Sequence, residues 1–407
     1  MSFRASALDF HRVQQTVSEL SVQINLRNRV RIVNKSRETP LRKIDFAPLE
    51  GVRVLDFSHV IAGPFATFLL AQLGADVLKV ENTNGGDVMR RSGRGKQSFV
   101  ALNAGKRIVR LDLATDEGRK RALELVSESD VLVDNLRPGV LQKYGLDFDD
   151  LRTSHPRLLY CSISGFGRRS DGWRYRPAYD HVIQAMTGMA WIAGHEGDPP
   201  IKTGYPAVDS TTGLLAAFAI VAGLRDVERT GLGALLDVSM IGASLQLMYP
   251  FACDALTSGE TPVRVGNQGY SNSPSADFFR TRDGWLALGA NTPRQLIALL
   301  DEVGLSHLAS DPQYFSAALH ADDPTILDRC VDSLALKQAL ADAVRERDAL
   351  DMELRLSARQ VPAARLRTLG EFANEAQALG AIDATTLNED EVVVRSPGLG
   401  FDVTRPS

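Results

Sequence analysis

The feature that most constrains this chain is a regular alternation of strand-like and helical segments that begins at residue 51. Residues 51–57 read as a buried strand, and residues 65–73 read as a helix that Gly74 terminates. The proline just before this helix suits a first turn, where its missing N–H has no partner to lose. Residues 75–81 read as the next strand. This unit of about thirty residues predicts two parallel strands joined by a right-handed crossover.

The same alternation continues along the first half of the chain. Further strands are expected at 108–112, 130–134 and 157–164, with an amphipathic helix at 115–126 and a short helix at 138–146. Strands at this spacing, separated by helices, are typical of a doubly wound sheet. The sequence therefore predicts an α/β fold with a Rossmann-like parallel sheet.

The pattern changes after residue 205. A nearly all-apolar helix is expected at 211–224, followed by a strand at 235–239 and a helix at 241–249. Residues 258–275 are rich in Gly, Pro, Ser and Asn, which indicates a linker or an active-site loop. The Asp-Gly dipeptide inside 278–288 predicts a β-hairpin, and helical segments follow from 293 to 355.

These patterns predict four regions. They are a basic N-terminal extension at 1–48, a large Rossmann-like domain at 49–255, a smaller α+β domain with the Gly/Ser-rich loop at 256–345, and a C-terminal segment at 346–407 that returns to the large domain. The extension holds nine Lys or Arg against four acidic residues and no apolar stretch of signal-peptide length, which excludes a secretory signal. An organelle transit peptide and a plain basic extension both stay open.

Charge, cysteine content and apolar runs exclude several classes of function. The net charge is −4 over 407 residues, so the chain lacks the excess of basic residues that is typical of a nucleic-acid binder. The three cysteines are scattered without a CxxC pair, so we expect no disulfide framework, no metal site and a cytoplasmic location. The longest apolar run, 214–224, has eleven residues against the ~20 that cross a bilayer, so we expect no membrane protein.

The first strand–loop–helix unit invites a comparison with dinucleotide-binding sites. Such a site needs the G-x-G-x-x-G pattern so that the backbone can approach a pyrophosphate. The loop offers only Gly63, between Ala62 and Pro64. The sequence therefore argues against NAD binding, whereas the start of the helix still suits a phosphate group.

A set of short motifs in a fixed order carries a resemblance to a known family. They are LEGVRVLDF (49–57), HVIAGPF (59–65), LGADVLKVE (73–81), GGD (85–87), NAGKR (103–107), DVLVDNLRPG (130–139), PRLLYCSISGFG (156–167) and DSTTG (209–213). Together they resemble the class III coenzyme A transferases of the CaiB/BaiF type, which include formyl-CoA transferase and carnitine CoA-transferase. The resemblance implies a Rossmann-like large domain, a smaller domain and an interlocked homodimer.

The resemblance assigns the catalytic role to Asp209. From the residues alone, Asp209 precedes an apolar helix and is a natural N-cap, a purely structural role. A carboxylate at a helix N-terminus is also favoured in its ionised form, which is the form that attacks a thioester. The resemblance implies the second reading: acyl-CoA:carboxylate CoA transfer through aspartyl anhydride and aspartyl-CoA thioester intermediates, with CoA as substrate and no tightly bound cofactor.

The resemblance also implies binding residues. Contacts to CoA are expected from His59, Val60, Ile61, Ala62, Asn82, Leu111, Asn135, Leu136, Lys143 and Tyr144. Positive charge for the CoA phosphates is available from Lys143 and from the nearby Arg90, Arg91, Arg94, Lys106 and Arg107, for which a solvated basic surface is the alternative. The expected substrate pocket comprises Tyr179, Asp180, Gln268, Gly269 and Tyr270. Arg174 and Arg176 precede this pocket and make dicarboxylates plausible substrates.

Two alternatives stay open beside the transferase. The α-methylacyl-CoA racemase branch needs a histidine where this chain has Tyr179, and a phenol of pKa ~10 shuttles protons poorly near neutrality. A CoA-binding partner subunit of a hetero-oligomeric transferase is expected to lack the aspartate, and Asp209 is present. Carboxylate exchange and α-proton exchange distinguish these readings.

Overall fold

The computed structural model describes residues 46–91, 95–169, 171–269, 273–322, 330–389 and 392–405. The expectations for residues 1–45, including the basic extension, lie outside the described residues. The described residues all belong to one compact unit. Within it lie a six-stranded parallel sheet and a smaller antiparallel sheet, which confirms the predicted α/β class.

The main sheet carries the first six strands. They are β1 (Arg53–Asp56), β2 (Asp76–Asn82), β3 (Arg107–Leu111), β4 (Val131–Asp134), β5 (Leu159–Ser164) and β6 (Leu235–Ser239). Their spatial order is β3-β2-β1-β4-β5-β6, and every neighbouring pair is parallel. The strand order reverses between β1 and β4, the arrangement of a doubly wound sheet.

Helices cover both faces of this sheet. Those before the small sheet are α1 (Ala62–Gln72), α2 (Gly95–Asn103), α3 (Asp116–Ser127), α4 (Phe148–Leu151), α5 (Asp180–Met186), α6 (Met189–Ile192), α7 (Ala207–Thr230), α8 (Met240–Leu247) and α9 (Tyr249–Ser258). The predicted helix at 138–146 is a short 3-10 helix, Leu141–Tyr144. Helix α2 was not predicted, because its apolar residues Phe99 and Val100 are adjacent and give no helical period.

Helix α7 is longer than the apolar run suggested. It spans 24 residues and ends at Gly231, whose φ of +75° suits a residue without a Cβ. Its buried residues Ala216 and Ile220 pack in the main core with α1 and β5. This helix is long and apolar enough to cross a membrane, judged by length and composition alone. Its most apolar stretch is 39% buried inside the structure. The expectation based on an eleven-residue run therefore underestimated this helix, because flanking residues extend it at both ends.

A second core surrounds the small sheet. Strands β7 (Phe278–Arg280), β8 (Trp285–Leu288) and β9 (Ala363–Arg365) are antiparallel, and residues 281–284 form the predicted hairpin turn. Helices α10 (Pro293–Val303), α11 (Ser333–Arg345) and α12 (Ala349–Ala358) pack their leucines on this sheet.

The end of the chain returns to the main core. Helix α13 (Leu369–Ala378) precedes the antiparallel pair β10 (Thr385–Glu389) and β11 (Val392–Ser396). Leu387 is buried in the main core, and Val394 packs against it. The predicted boundaries at residues 256 and 346 stay a prediction. Because β9 pairs with β8 in the small sheet, the return of the chain to the large domain is better placed after residue 365.

Candidate active site

The reversal of strand order places two loops at one edge of the sheet. The loop after β1 and the loop after β4 leave the carboxyl ends of neighbouring parallel strands. In open α/β sheets, the crevice at such a reversal is where ligands bind. Two adjacent cavities open here, and both are lined by His59, Leu136 and Val140.

The larger cavity has a volume of about 540 Å³ and lies beyond the ends of β1, β2 and β3. Its lining includes five of the residues expected to contact CoA: His59, Asn82, Leu111, Leu136 and Tyr144. Glu81, Asp87 and Asp112 also line it, so its walls carry acidic as well as apolar groups.

The second cavity, called the Asp209 cavity below, has a volume of about 350 Å³. The remaining expected residues that line it are Val60, Ile61, Ala62, Asn135, Tyr179 and Asp209. Arg137, Arg174 and Arg176 line it as well. The fold therefore brings the expected nucleophile, most of the expected CoA contacts and three guanidinium groups to one place.

Four predicted residues lie outside the lining of both cavities. Lys143 lies in the 3-10 helix, and Gln268 and Gly269 lie in a turn bonded to Val265 and Ala276. Asp180 lies behind the Asp209 cavity, at the start of α5. Tyr270 lies outside the described residues.

Asn135 holds the loop after β1 in place. Its side chain accepts a hydrogen bond from the His59 backbone N–H at 2.8 Å and donates one to the His59 carbonyl at 2.7 Å. The next residue, Val60, has a φ of +69°, which is rare for a β-branched side chain. The Val60 N–H lies 3.4 Å from the carboxylate of Asp87. Contacts from two other segments therefore fix a strained backbone at the boundary of the two cavities.

A buried ion pair supports the same loop from below. Lys79 Nζ lies 3.2 Å from Asp87 Oδ2, and each side chain is 1% exposed. Lys79 also donates to the Ser58 carbonyl at 2.6 Å. The sequence analysis missed this anchor, although a lysine in the middle of the apolar strand 75–81 was a signal for it.

Of the basic residues considered for the CoA phosphates, Arg90, Lys106 and Arg107 form ion pairs within the protein, and Arg94 lies outside the described residues. Lys106 is buried and bonds to Asp56 at 3.2 Å and to Thr67 at 2.7 Å, and burial lowers its pKa to about 8. Arg90 bonds to Glu81 at 2.9 Å, and Arg107 bonds to Asp76 at 2.6 Å. These ion pairs compete with the expected role of the three residues as phosphate ligands, and that role stays a prediction.

Asp209 does not occupy the N-cap position that the sequence suggested. The N-cap is Pro206 and the helix begins at Ala207, so Asp209 is the third residue of the first turn. The difference arises because the helix extends further toward its N-terminus than the apolar run. The carboxylate of Asp180 accepts hydrogen bonds from the backbone N–H groups of Val208 at 2.8 Å and Asp209 at 3.1 Å.

The ionisation of Asp209 also differs from the expectation. Burial raises its pKa to about 6, and the negative charge of Asp180 adds to the rise. These effects outweigh the preference of a helix N-terminus for a carboxylate. Asp209 is consequently ionised near neutral pH but takes up a proton in mildly acidic solution.

Tyr179 stands at the position where a racemase would need a histidine. Tyr179 lines the Asp209 cavity, is 69% exposed and stacks on the His181 ring. His181 is not among the lining residues.

Burial lowers the pKa of His59, which keeps that imidazole neutral near pH 7. Within the described ranges, no group of three or more His, Cys, Asp or Glu residues is arranged to hold a metal ion.

The sequence model of the family described as CoA-transferase family III matches residues 49–405. The match covers nearly all of the described residues. The chain belongs to this family. Membership confirms the resemblance drawn from the motifs, and it makes the protein a CoA-transferase whose substrates include CoA thioesters.

Individual members of CoA-transferase family III show the same relationship. The succinate–glutarate CoA-transferase of Agrobacterium fabrum is 36% identical over 278 residues, 66% of this chain and 69% of that protein. The succinyl-CoA:mesaconate CoA-transferase of Haloarcula hispanica is 32% identical over 380 residues, 88% of this chain and 91% of that protein. The crystal structure of a CAIB/BAIF family protein from Brucella suis is 30% identical, covers 82% of this chain and 88% of that chain, and has a TM-score of 0.71.

Proposed function

We propose that the protein transfers CoA from an acyl-CoA to a carboxylic acid with Asp209 as the covalent nucleophile. The observation that carries the proposal is the position of the Asp209 carboxylate in a cavity that adjoins a second, larger cavity at the reversal of the sheet. The larger cavity suits the nucleotide part of CoA, and the Asp209 cavity suits the acyl group. The earlier expectations for CoA-binding residues become proposals for the residues that line these cavities.

The transfer follows from carboxylate and thiolate chemistry. Asp209 attacks the thioester carbonyl, the C–S bond breaks, and a mixed anhydride and CoA thiolate result. The thiolate attacks the aspartyl carbonyl and releases the donor carboxylate, which leaves an aspartyl-CoA thioester. The acceptor carboxylate displaces the thiolate to form a second anhydride. The thiolate then attacks the acceptor carbonyl, which gives the new acyl-CoA and regenerates Asp209.

Each intermediate reacts with water, so the site must limit access by solvent. The apolar groups Val60, Ile61 and Met240 line the Asp209 cavity beside the carboxylate. The transfer exchanges one thioester for another and therefore needs little net driving force. Positioning and water exclusion are consequently the main contributions of the protein.

A dicarboxylate is the substrate class that the charges favour. Arg174 and Arg176 are guanidinium groups that share the cavity with Asp209, and such groups bind carboxylates well. Arg174 already lies 3.5 Å from Asp171. No carboxylate pairs with Arg176 in the described part of the chain, which leaves this cation for the second carboxylate of a substrate. The succinate–glutarate enzyme of Agrobacterium fabrum provides a named precedent.

A homodimer is the assembly that the surface supports. Helix α7 exposes Leu214, Phe218 and Val221 on the side that faces away from the core. Exposed apolar side chains along one helix face are typical of a surface that a second chain covers. We place the enzyme in the cytoplasm, without a tightly bound cofactor and without a nucleic-acid or membrane partner.

The test of the nucleophile combines exchange and trapping. Wild-type protein incubated with succinyl-CoA and labelled succinate is expected to exchange the label, whereas Asp209→Asn is expected to exchange it at least about 10³-fold more slowly. Hydroxylamine added during turnover is expected to modify the peptide that contains Asp209, as read by mass spectrometry. Exchange by Asp209→Asn at the wild-type rate would overturn the proposal.

A further inference from the structure

The first turn of α7 has no cap of its own. The first N–H groups of a helix lack partners within it, and a side chain at the N-cap usually accepts one of them. Here the N-cap is Pro206, which offers no acceptor in its side chain. A residue from α5 takes over: Asp180 Oδ2 accepts the N–H groups of Val208 at 2.8 Å and Asp209 at 3.1 Å.

Asp180 is itself held in place. Its Oδ1 accepts a hydrogen bond from Gln184 Nε2 at 2.5 Å, one turn further along α5. Gln184 is fully buried and also bonds to the backbone N–H and the hydroxyl of Thr203, at 2.9 Å each. This network fixes the start of α7 to α5, so the position of Asp209 depends on Asp180.

The arrangement leaves the Asp209 carboxylate without donors. Among the residues that the structure describes, none donates a hydrogen bond to this carboxylate, while Asp180 accepts two backbone N–H groups beside it. Donors to a carboxylate stabilise its charged form and lower its pKa, which weakens it as a nucleophile. By accepting the amides of α7, Asp180 keeps them away from Asp209.

We propose that Asp180 is a positioning residue for the reaction: it occupies the amides of α7 that would otherwise bind the Asp209 carboxylate, and so leaves that carboxylate oriented and free to attack. The inference rests on the proposed function, because it assumes that Asp209 is the nucleophile. Tyr179, next to Asp180, lines the cavity, whereas Asp180 is not among the lining residues.

The electrostatics agree with this role. Burial and the charge of Asp180 raise the pKa of Asp209 to about 6, so the carboxylate is more basic than an exposed one and still ionised at pH 7.5. The other charged or titratable groups that line the cavity are His59 from the loop after β1, Arg137 from the loop after β4, Arg174 and Arg176 from the segment before α5, and Tyr179 at the start of α5. The acid side of the pH profile of kcat/KM is therefore a direct readout of the Asp180–Asp209 interaction.

Two substitutions separate the roles of charge and hydrogen bonding. Asp180→Asn keeps an oxygen acceptor but removes the charge, so the acid limb of kcat/KM is expected to move from about pH 6 toward lower pH with a small loss of kcat. Asp180→Ala frees both amides, so the limb is expected to move further and kcat to fall about 10- to 100-fold, with KM changed less. Circular dichroism and thermal unfolding check that each variant is folded.

Asp226→Asn is the matched control. Asp226 lies on the same helix at its far end, in an exposed ion pair with Arg229, so its loss is expected to leave the acid limb in place. The inference is overturned if Asp180→Asn and Asp180→Ala keep the wild-type acid limb and kcat, or if Asp180→Ala loses only thermal stability. If Asp180→Ala does not fold, the acid limb of Asp180→Asn decides alone. An active Asp209→Asn variant would instead contradict the proposed function.

Discussion

The side chain of Asn135 bonds to both backbone polar groups of His59, although the two residues lie 76 positions apart. One belongs to the loop after β1 and the other to the loop after β4, so this contact closes the crevice at the reversal of the sheet. His59 lines both cavities. The relative position of the two cavities therefore depends on one amide side chain.

Replacing Asn135 by Ala is expected to weaken CoA binding. The substitution removes both hydrogen bonds to His59 and releases the strained Val60 next to it. Loss of two such bonds is expected to raise KM for the acyl-CoA about tenfold, with a smaller change in kcat. Steady-state kinetics with varied acyl-CoA measures this. Gln142→Ala, in the neighbouring 3-10 helix outside both linings, is the control, and an equal KM in both variants would contradict the role of Asn135.

Replacing Arg176 by Gln is expected to change the choice of acceptor. If its guanidinium binds the second carboxylate of a substrate, KM for a dicarboxylate acceptor such as succinate should rise about 10- to 100-fold. KM for a monocarboxylate of the same length should stay within about threefold of the wild-type value. Arg169→Gln serves as the control, because Arg169 is exposed and outside the cavity lining. Equal losses with both acceptors would argue against dicarboxylate recognition.

Replacing Asp134 by Asn is expected to make stability less dependent on pH. Burial raises the pKa of Asp134 to about 7, above its ordinary value of 3.8. A carboxyl whose pKa is raised in the folded state stabilises the fold at low pH and loses that contribution as pH rises through 7. Between pH 5 and pH 8 the free energy of unfolding should therefore fall more for the wild type than for the variant. The two changes should differ by about 1–2 kcal/mol.

Urea unfolding at these two pH values measures the difference. Asp149→Asn, which removes an exposed carboxylate paired with Arg152, is the control and should show no such gain. If the free energies of unfolding of Asp134→Asn and wild type differed by the same amount at both pH values, Asp134 would be ionised throughout this range, which would contradict the prediction.

Replacing Phe218 by Glu is expected to disfavour assembly of the proposed dimer. Phe218 is 71% exposed on α7, and a charge placed in an apolar interface is costly. Because interlocked chains cannot part while folded, both proteins are first refolded from urea; sedimentation velocity should then show a dimer for the wild type and a monomer for the variant. Leu334→Glu is the control, because Leu334 is 77% exposed on α11, beside the second core. A wild-type protein that sediments as a monomer would refute the assembly.

The succession of strands and helices along the chain, and most of the strand bounds, follow from the sequence alone. Alternating strands and helices leave few topologies, and the predicted strand at 235–239 coincides with β6. The motifs around His59 and Asn135, which follow strands, and around Asp209, which lies in the first turn of a helix, carry the resemblance that the match to CoA-transferase family III confirms. Local pattern suffices for such features, since they depend on residues close together in the chain.

The relationships that make the site work are decided by the tertiary structure. Asp180 pairs with the amides of α7, and Lys79 makes a buried contact with Asp87; sequence spacing connects neither pair. Nor does the sequence indicate that Arg176 has no acidic partner in the described ranges. The same holds for the pKa of Asp209. From the sequence we expected the helix N-terminus to favour the ionised form of this residue. Burial and the charge of a residue 29 positions away raise this pKa, and both are properties of packing rather than of local sequence.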